Sequence, residues 1–422
     1  MSTRPCPVGD LSTINSNRLQ YLIKVIKYVE SIQAWRIVRD RRKINEMATE
    51  MHEKGDPTEI RKANRRFILD ILRREGSRSR VELAQATGLS GAAVTMLISD
   101  LMEDGLISEG PQQKSSGGRR PISLQIDYAS RYSIGVKIMS RSIEAVLTDL
   151  ATSPIRSMEI DIAKPTPENV AAACREIVNR LVPDAGERRE KLVGMGLGLP
   201  GLIDSDKGVC IKSHRFDWDA IPIASLVEAA AEVPVWIDND VNAYAIAQQL
   251  FGHGRAHNSI AVFIVGTGVG AAIIVNGRVL GGSSYAAGEI GFCRDPGEPP
   301  SAATWGERFS EPSLIERWSV IGDGTDLQFA ADSANPEAVA LLRLAGGEVG
   351  ERLANLVMFV DPELVIVSGE AVRFRPHFTD AIRRGFERQY PLSKPELVID
   401  WHPDYWARGA AALAIQSFFS RT

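Results

Sequence analysis

From Glu59 to Ile126 the hydrophobic pattern of the chain becomes tight, beginning with helical spacing. Phe67, Ile68, Ile71 and Leu72 fall on one face of a segment that predicts a helix ending at Gly76. Ser79 is placed to cap a short second helix containing Val81, Leu83, Ala84 and Ala86. The turn Thr87-Gly88-Leu89-Ser90 follows, with Gly88 suited to the left-handed position past a helix end. Ser90 then caps a third helix, whose apolar face is Val94, Leu97, Ile98 and Leu101. Its opposite face, Gly91, Ala92, Thr95, Met96 and Ser99, is small or polar and free to approach a groove. Gly105 ends that helix. Leu106-Ile107 starts a strand, residues 112–120 form a polar hairpin tip, and Ile122, Leu124 and Ile126 alternate as the return strand.

After Tyr132 the pattern changes to strands alternating with helices. Apolar runs at Leu192–Leu199, Val233–Ile237, Ile260–Val265, Ala271–Val275 and Leu364–Val367 predict sheet strands. Helical stretches are expected at Pro167–Leu181, Val241–Phe251, Glu337–Val360 and Gly409–Phe419. That order predicts an α/β architecture with two lobes around a cleft.

Three helices with a glycine turn before the third, then a hairpin, make a winged helix-turn-helix. The third helix suits the major groove of B-DNA, about 12 Å wide. The tip Gly117-Gly118-Arg119-Arg120-Pro121 offers two guanidinium groups, Arg119 and Arg120, to the negative potential of a minor groove. A three-helix bundle with a hairpin also serves protein contacts, but the capping, spacing and arginine-rich tip together point to DNA. The candidate DNA contacts are Ser90, Gly91, Ala92, Thr95, Met96, Ser99, Arg119 and Arg120.

Composition narrows the picture. A chain of 422 residues predicts two or three domains. Hydrophobic content of 44% and charged content of 24% are those of a soluble globular protein. No run of 18 apolar residues is present, so no membrane span is expected, and the absence of a signal-peptide apolar region predicts a cytoplasmic protein. The four cysteines are far apart without a CxxC, which favours isolated buried thiols over disulfides. The net charge of −4 hides an asymmetry: the first 130 residues carry roughly +5 and the remainder roughly −9. Before residue 55, Leu19–Val29 and Ala34–Met47 read as amphipathic helices with a basic cluster, Arg39, Arg41, Arg42 and Lys43. Two readings stand for this stretch: an extra DNA-contacting or dimerising arm, or a poorly ordered extension ahead of a start at Met47 or Met51. The expected domains are thus a helical extension (1–58), a winged helix-turn-helix (59–127) and an α/β body (130–422).

Five ordered blocks in the body carry a resemblance. They are Gly194–Asp204 (GMGLGLPGLID), Asp238–Ala243 (DNDVNA), Gly266–Gly270 (GTGVG), Gly277–Phe292 (GRVLGGSSYAAGEIGF) and Asp361–Gly369 (DPELVIVSG). With the GGRRP tip, they make the chain resemble the ROK family (repressors, open reading frames, kinases), and specifically its repressor branch, from about residue 60 to the end. The resemblance implies a two-lobed, actin-like sugar-kinase fold for the body. By the same resemblance Gly201, Asn239, Asp240, Glu289 and Glu307 match effector-sugar contacts. On the residues alone Asp240 also suits the N-cap of a helix beginning at Val241, and GTGVG is a turn that can but need not cradle phosphate.

Departures from the family pattern shape the functional expectation. Where the family's first phosphate loop reads Asp-x-Gly-Gly-Thr, this chain has Lys137, Met139 and Ser140 in place of the aspartate and both glycines. A positive charge and two side chains there predict no useful kinase activity and no ATP. Phe292 replaces the histidine of the family's zinc site and Gly297–Trp305 lacks cysteine, so no zinc is expected. The resulting expectation is a repressor of sugar uptake or catabolism genes. Its partners would be double-stranded operator DNA and a small sugar or sugar derivative, and it would act as a homodimer or homotetramer. The alternatives are a ROK sugar kinase with an accessory DNA-binding domain, and a ligand-free regulator that holds a protein partner.

Overall fold

The computed structural model describes residues 57–110, 122–183 and 187–422. The two amphipathic segments expected before residue 48, and the tip with Arg119 and Arg120, lie outside these residues. The larger of the chain's two units, Arg65–Thr422, holds everything below except the first turns of α1.

The helices α1 (Pro57–Glu75), α2 (Arg80–Thr87) and α3 (Gly91–Glu103) form with strands β1 (Arg78–Ser79), β2 (Ile107–Glu109) and β3 (Ser123–Ile126). Ser79 begins α2 through a reciprocal cap: its Oγ accepts from Glu82 N at 3.3 Å, and its own N–H donates to Glu82 Oε2 at 2.7 Å. Gly88 closes α2 at φ +73°, as expected, and α3 departs at 115° to α2. Ile68, Leu72, Leu83, Val94, Ile98 and Leu101 share one buried core with Leu124 of the return strand. The strand β1 was not predicted. At two residues it is too short to show alternation, yet it pairs Arg78 with Leu124 and Ser79 with Ser123.

The body contains two five-stranded mixed sheets. The first is built from β4 (Tyr132–Ile138), β5 (Ser142–Asp149), β6 (Pro154–Asp161), β7 (Leu192–Leu199) and, after the small sheet β8 (Leu202–Asp204), β9 (Val209–Ser213), β10 (Trp218–Ile221), the strand β11 (Val235–Asn239). The second uses β12 (Ile260–Val265), β13 (Val269–Val275), β14 (Arg278–Val279), β15 (Leu364–Ser368) and β16 (Glu396–Ile399). Their orders, β11-β7-β4-β5-β6 and β14-β13-β12-β15-β16, share one plan: an antiparallel meander flanked by two parallel strands. The strand expected at Val233–Ile237 lies two residues later, because the ladder continues through the pairs Asp238–Gly198 and Asn239–Leu199.

Helices α4 (Pro167–Leu181) and α5 (Ile223–Ala231) pack on the first sheet. The second carries α7 (Trp305–Phe309), α8 (Glu311–Ile321), α9 (Leu327–Asp332), α10 (Pro336–Val360) and α11 (His377–Gln389). Two helices exchange sides. The helix α6 (Asp240–Phe251) leaves the first sheet but buries Val241, Tyr244 and Ala245 against Ile260, Val262 and Ile366 of the second. The last helix, α12 (Tyr405–Arg421), leaves the second sheet and crosses β4 and β7 of the first. Ser133 Oγ donates to Ala411 O at 3.0 Å across this contact. Gly135 and Gly196 make it possible, since a Cβ on either would collide with a carbonyl oxygen of α12, that of Ala407 or Ala410. At its far end Phe418 and Phe419 pack against the winged-helix core.

Gly196→Ala is therefore expected to lower stability by about 1–3 kcal/mol or more through overpacking against backbone that cannot yield. Gly268→Ala, where an added Cβ meets no atom within 4 Å, is expected to stay within about 0.5 kcal/mol of the parent. Urea unfolding of both variants checks the contrast, and equal losses would contradict the packing argument.

Candidate effector cleft and DNA-facing helix

Ser90 caps α3, its Oγ accepting from Ala93 N at 3.2 Å. With Val94, Leu97, Ile98 and Leu101 turned into the core, α3 exposes Gly91, Ala92, Thr95, Met96 and Ser99 together. The hydroxyls of Thr95 and Ser99 donate to carbonyls one turn back, Gly91 O at 2.8 Å and Thr95 O at 3.0 Å, which holds the face low and smooth. Met96, 51% exposed, is its one large side chain. The second half of the expected DNA surface, Arg119 and Arg120, is outside the described residues.

A cleft of about 520 Å³ opens between the lobes. It brings together Gly201, Asn239, Asp240 and Glu289, four of the five expected effector contacts. Asn239, not Asp240, is the N-cap of α6: its Oδ1 accepts from Val241 N at 2.9 Å, and its Nδ2 donates to Gly201 O at 3.1 Å. The cap thereby ties the two blocks together and leaves Asp240 on the first turn, facing the cleft. Burial raises the Asp240 pKa, opposed by the Val241 N–H and by the charges of Arg215 and Lys137. Burial, then the charge of Asp240, raises Glu289 as well. Lys137, at the end of β4, and Met139, Ser140 and Arg141 of the β4–β5 turn border the same cleft.

Glu307 does not join this group. It is exposed, and its Oε2 accepts from Thr304 N at 2.7 Å as the third residue of a capping box that starts α7. Asp295 organises the surrounding segment, accepting from Trp305 Nε1 at 3.0 Å, Arg308 Nη1 at 2.9 Å and Arg352 Nε at 2.8 Å. Among the cysteines, Cys174 and Cys210 are buried and free, whereas Cys293 is exposed, contrary to the expectation of buried thiols throughout.

Two further residues went unnoticed in the sequence. Glu370 follows the Ser368-Gly369 end of β15; its Oε2 accepts from Thr267 N at 3.1 Å and its Oε1 from Trp406 Nε1 at 3.0 Å. Arg73, on α1 and 8% exposed, donates from Nη1 to Leu250 O at 2.7 Å and Gln249 O at 3.3 Å. The last turn of α6 is thus gripped by the winged helix, while its first turn carries Asp240. Tyr128 and Phe251 add an edge-on ring contact at 6.2 Å in the same joint.

The ROK family model matches residues 133–416, and a winged helix-turn-helix DNA-binding model matches residues 61–108. The xylose repressor of Bacillus spizizenii is 27% identical over 346 residues, covering 80% of this chain and 90% of that protein. The structure of a ROK family transcriptional regulator, a homologue of the E. coli MLC protein, superposes with a TM-score of 0.72 at 20% identity, over 86% of this chain and 97% of the other. A ROK family glucokinase from Streptomyces griseus, solved with glucose and AMPPNP, gives a TM-score of 0.57 at 25% identity, over 68% of this chain and 99% of the other.

The root of the cleft makes a pH prediction. Burial lifts Asp238, which accepts from Asn239 N and Asn242 Nδ2, to about 6. An unfolded aspartate releases its proton near pH 4, so between about pH 4 and 6 the folded state binds more protons and loses stability as pH rises. Asp238→Asn keeps both acceptor bonds and removes this penalty. Its stability relative to the parent should increase from pH 4 to 7 by on the order of 2 kcal/mol, read by urea unfolding; a pH-independent difference would contradict the assignment.

Proposed function

The chain belongs to the ROK family, and from that footing we propose that it is a DNA-binding repressor of sugar uptake or catabolism genes, controlled by a sugar or sugar derivative in the cleft. Residues 59–127 serve as the DNA-binding domain and 130–422 as the effector-binding domain, working in the cytoplasm as a homodimer or homotetramer on paired half-sites. No described helix is long and apolar enough to cross a membrane. One observation carries the reading: a smooth-faced α3 is joined to a cleft that gathers Gly201, Asn239, Asp240 and Glu289. The names of the relatives support repression, and make D-xylose the first effector to try. The kinase alternative draws on Asp240 lying beside the Thr267–Gly270 turn. Lys137, Met139 and Ser140 oppose it by putting a cation and two side chains where phosphates need a carboxylate-backed metal and open backbone.

Selection of genomic fragments on the full chain, followed by salt-titrated gel shifts, tests DNA recognition. Enriched fragments should carry paired half-sites about 34–36 Å apart or at multiples of that spacing. Thr95→Ala combined with Met96→Ala should reduce preference for them over random duplex by about tenfold, with little change in the salt slope. No preferred sequence at moderate salt would sink the proposal.

Control requires the effector to favour one arrangement of the winged helices. The helix α6 is the direct route, with Asp240 at its start and the Arg73 grip at its end. Arg73→Ala should leave intact the rise in melting temperature caused by D-xylose, or by D-glucose or N-acetylglucosamine if one of these binds instead. The same variant should bring the ratio of sugar affinities with and without operator close to one, and by reciprocity the sugar's effect on operator affinity should shrink by the same factor. An unchanged ratio rules out the α6 route.

A further inference from the structure

The turn between β12 and β13 has the form of a phosphate cradle, Gly266-Thr267-Gly268, with Gly266 N bonded to Gly268 O at 2.9 Å. Its mouth is filled from within the chain. Glu370 lays Oε2 on Thr267 N–H at 3.1 Å and against Gly266, where a Cβ would collide with that oxygen. Its other oxygen accepts from Trp406 Nε1 at 3.0 Å. Trp406 is 8% exposed, and Lys137 Nζ stands 5.8 Å from its ring centroid, so the carboxylate sits in a fixed setting with a cation nearby.

Carboxylate and phosphate oxygens compete for the same backbone N–H donors through the same charge-assisted bond. We propose that Glu370 is a tethered anion occupying the phosphate subsite of the cleft, so that nucleotides and polyphosphates are refused and the cleft answers to the sugar alone. Two effects act in the same direction. The donor that a phosphate oxygen would need is already engaged, and a fixed negative charge faces an incoming polyanion. Lys137, Met139 and Ser140 enter the same cleft from the first sheet, whereas Glu370 follows β15 of the second, so Glu370 is a further barrier supplied by the other lobe. This inference rests on the cleft assignment above, but on neither DNA binding nor the identity of the sugar.

Titration calorimetry of the full chain with pyrophosphate and with Mg-ATP tests it, comparing the parent, Glu370→Gly and Glu370→Gln. The parent should bind neither probe more tightly than about 1 mM. Glu370→Gly, which frees the N–H and removes the charge, should gain at least about tenfold for pyrophosphate. Glu370→Gln, which removes the charge but keeps the bulk, should fall between the two. If the glycine variant does not fold, the glutamine variant decides alone: a gain over the parent supports the plug, and no gain overturns it. Parent binding as tight as that of Glu370→Gly also overturns it. Operator binding by the parent in the same preparation is a separate measurement, so a failure of the repressor reading would not be mistaken for a failure of this one.

Discussion

The body depends on how closely α12 lies against the first sheet. A helix of 17 residues, about 26 Å long, crosses β4 and β7 at a distance that only glycine at positions 135 and 196 permits. Its buried side is correspondingly rich in small residues, Ala407, Ala410, Ala411, Ala412 and Ala414, with the larger Trp406, Leu413 and Ile415 buried among them. On its other side Gly409 lets the backbone of α6 approach at Tyr244. The outcome is two helices packed together between two sheets, each supplied by one lobe and buried against the other. Interfaces of this density do not deform continuously; they shift as bodies. The beginning of α12 places Trp406 in the cleft, and its end places Phe418 and Phe419 in the winged-helix core. Cleft and DNA-binding domain are therefore joined by rigid elements on both sides.

What could be read from the chain follows the range of the interactions involved. The winged helix was legible because its signals are local: the apolar spacing of α3, the Ser79 and Ser90 caps, and Gly88 at φ +73° all act within a few residues. The cleft was legible in part, since Gly201, Asn239, Asp240 and Glu289 stand in blocks whose order carried the resemblance, and the structure gathers them. The partition of roles at the start of α6 was not. Nothing local distinguishes Asn239 from Asp240 as the cap, and the choice depends on β11 running two residues beyond its apolar run. Glu307 is different, because Thr304-Trp305-Gly306-Glu307 is a local capping-box pattern, and the structure uses Glu307 in that role. The roles of Glu370 and Arg73 have no local signal, since the contacts that define them, to Thr267 N and Leu250 O, span 103 and 177 residues.

The same distinction accounts for the segment around Asp295. Without the cysteines that the family pattern supplies there, the chain needs another anchor, and one carboxylate holds Trp305, Arg308 and Arg352 at once. Arg308 extends the group to Glu348 of α10 at 2.9 Å. A network of this kind, only partly exposed, is worth more than isolated surface pairs, whose contribution is commonly below about 1 kcal/mol. It fixes the segment to the second lobe just after Glu289, and so keeps that carboxylate in the cleft wall.

The charge arrangement of the cleft bears on what it can hold. Lys137, Arg141 and Arg215 line it together with Asp240, Glu289 and Glu370, three cations and three carboxylates. The oxygens of Glu370 are already engaged, whereas Asp240 and Glu289 are the pair whose ionised forms burial disfavours. A polyol that donates hydroxyl protons to those two carboxylates supports their charged forms and adds no charge to a cleft already in balance. The stabilisation it brings is exerted on the first turn of α6. At the other end the Arg73 guanidinium meets the free carbonyls of the same helix, where a cation is favoured by the helix dipole. A ligand that draws the first turn toward Glu289 must therefore move the grip on the winged helix with it, or break a buried bond to a charged donor. Either response is a difference in free energy between two arrangements of the DNA-binding domain, and that difference is all that control by a small molecule requires.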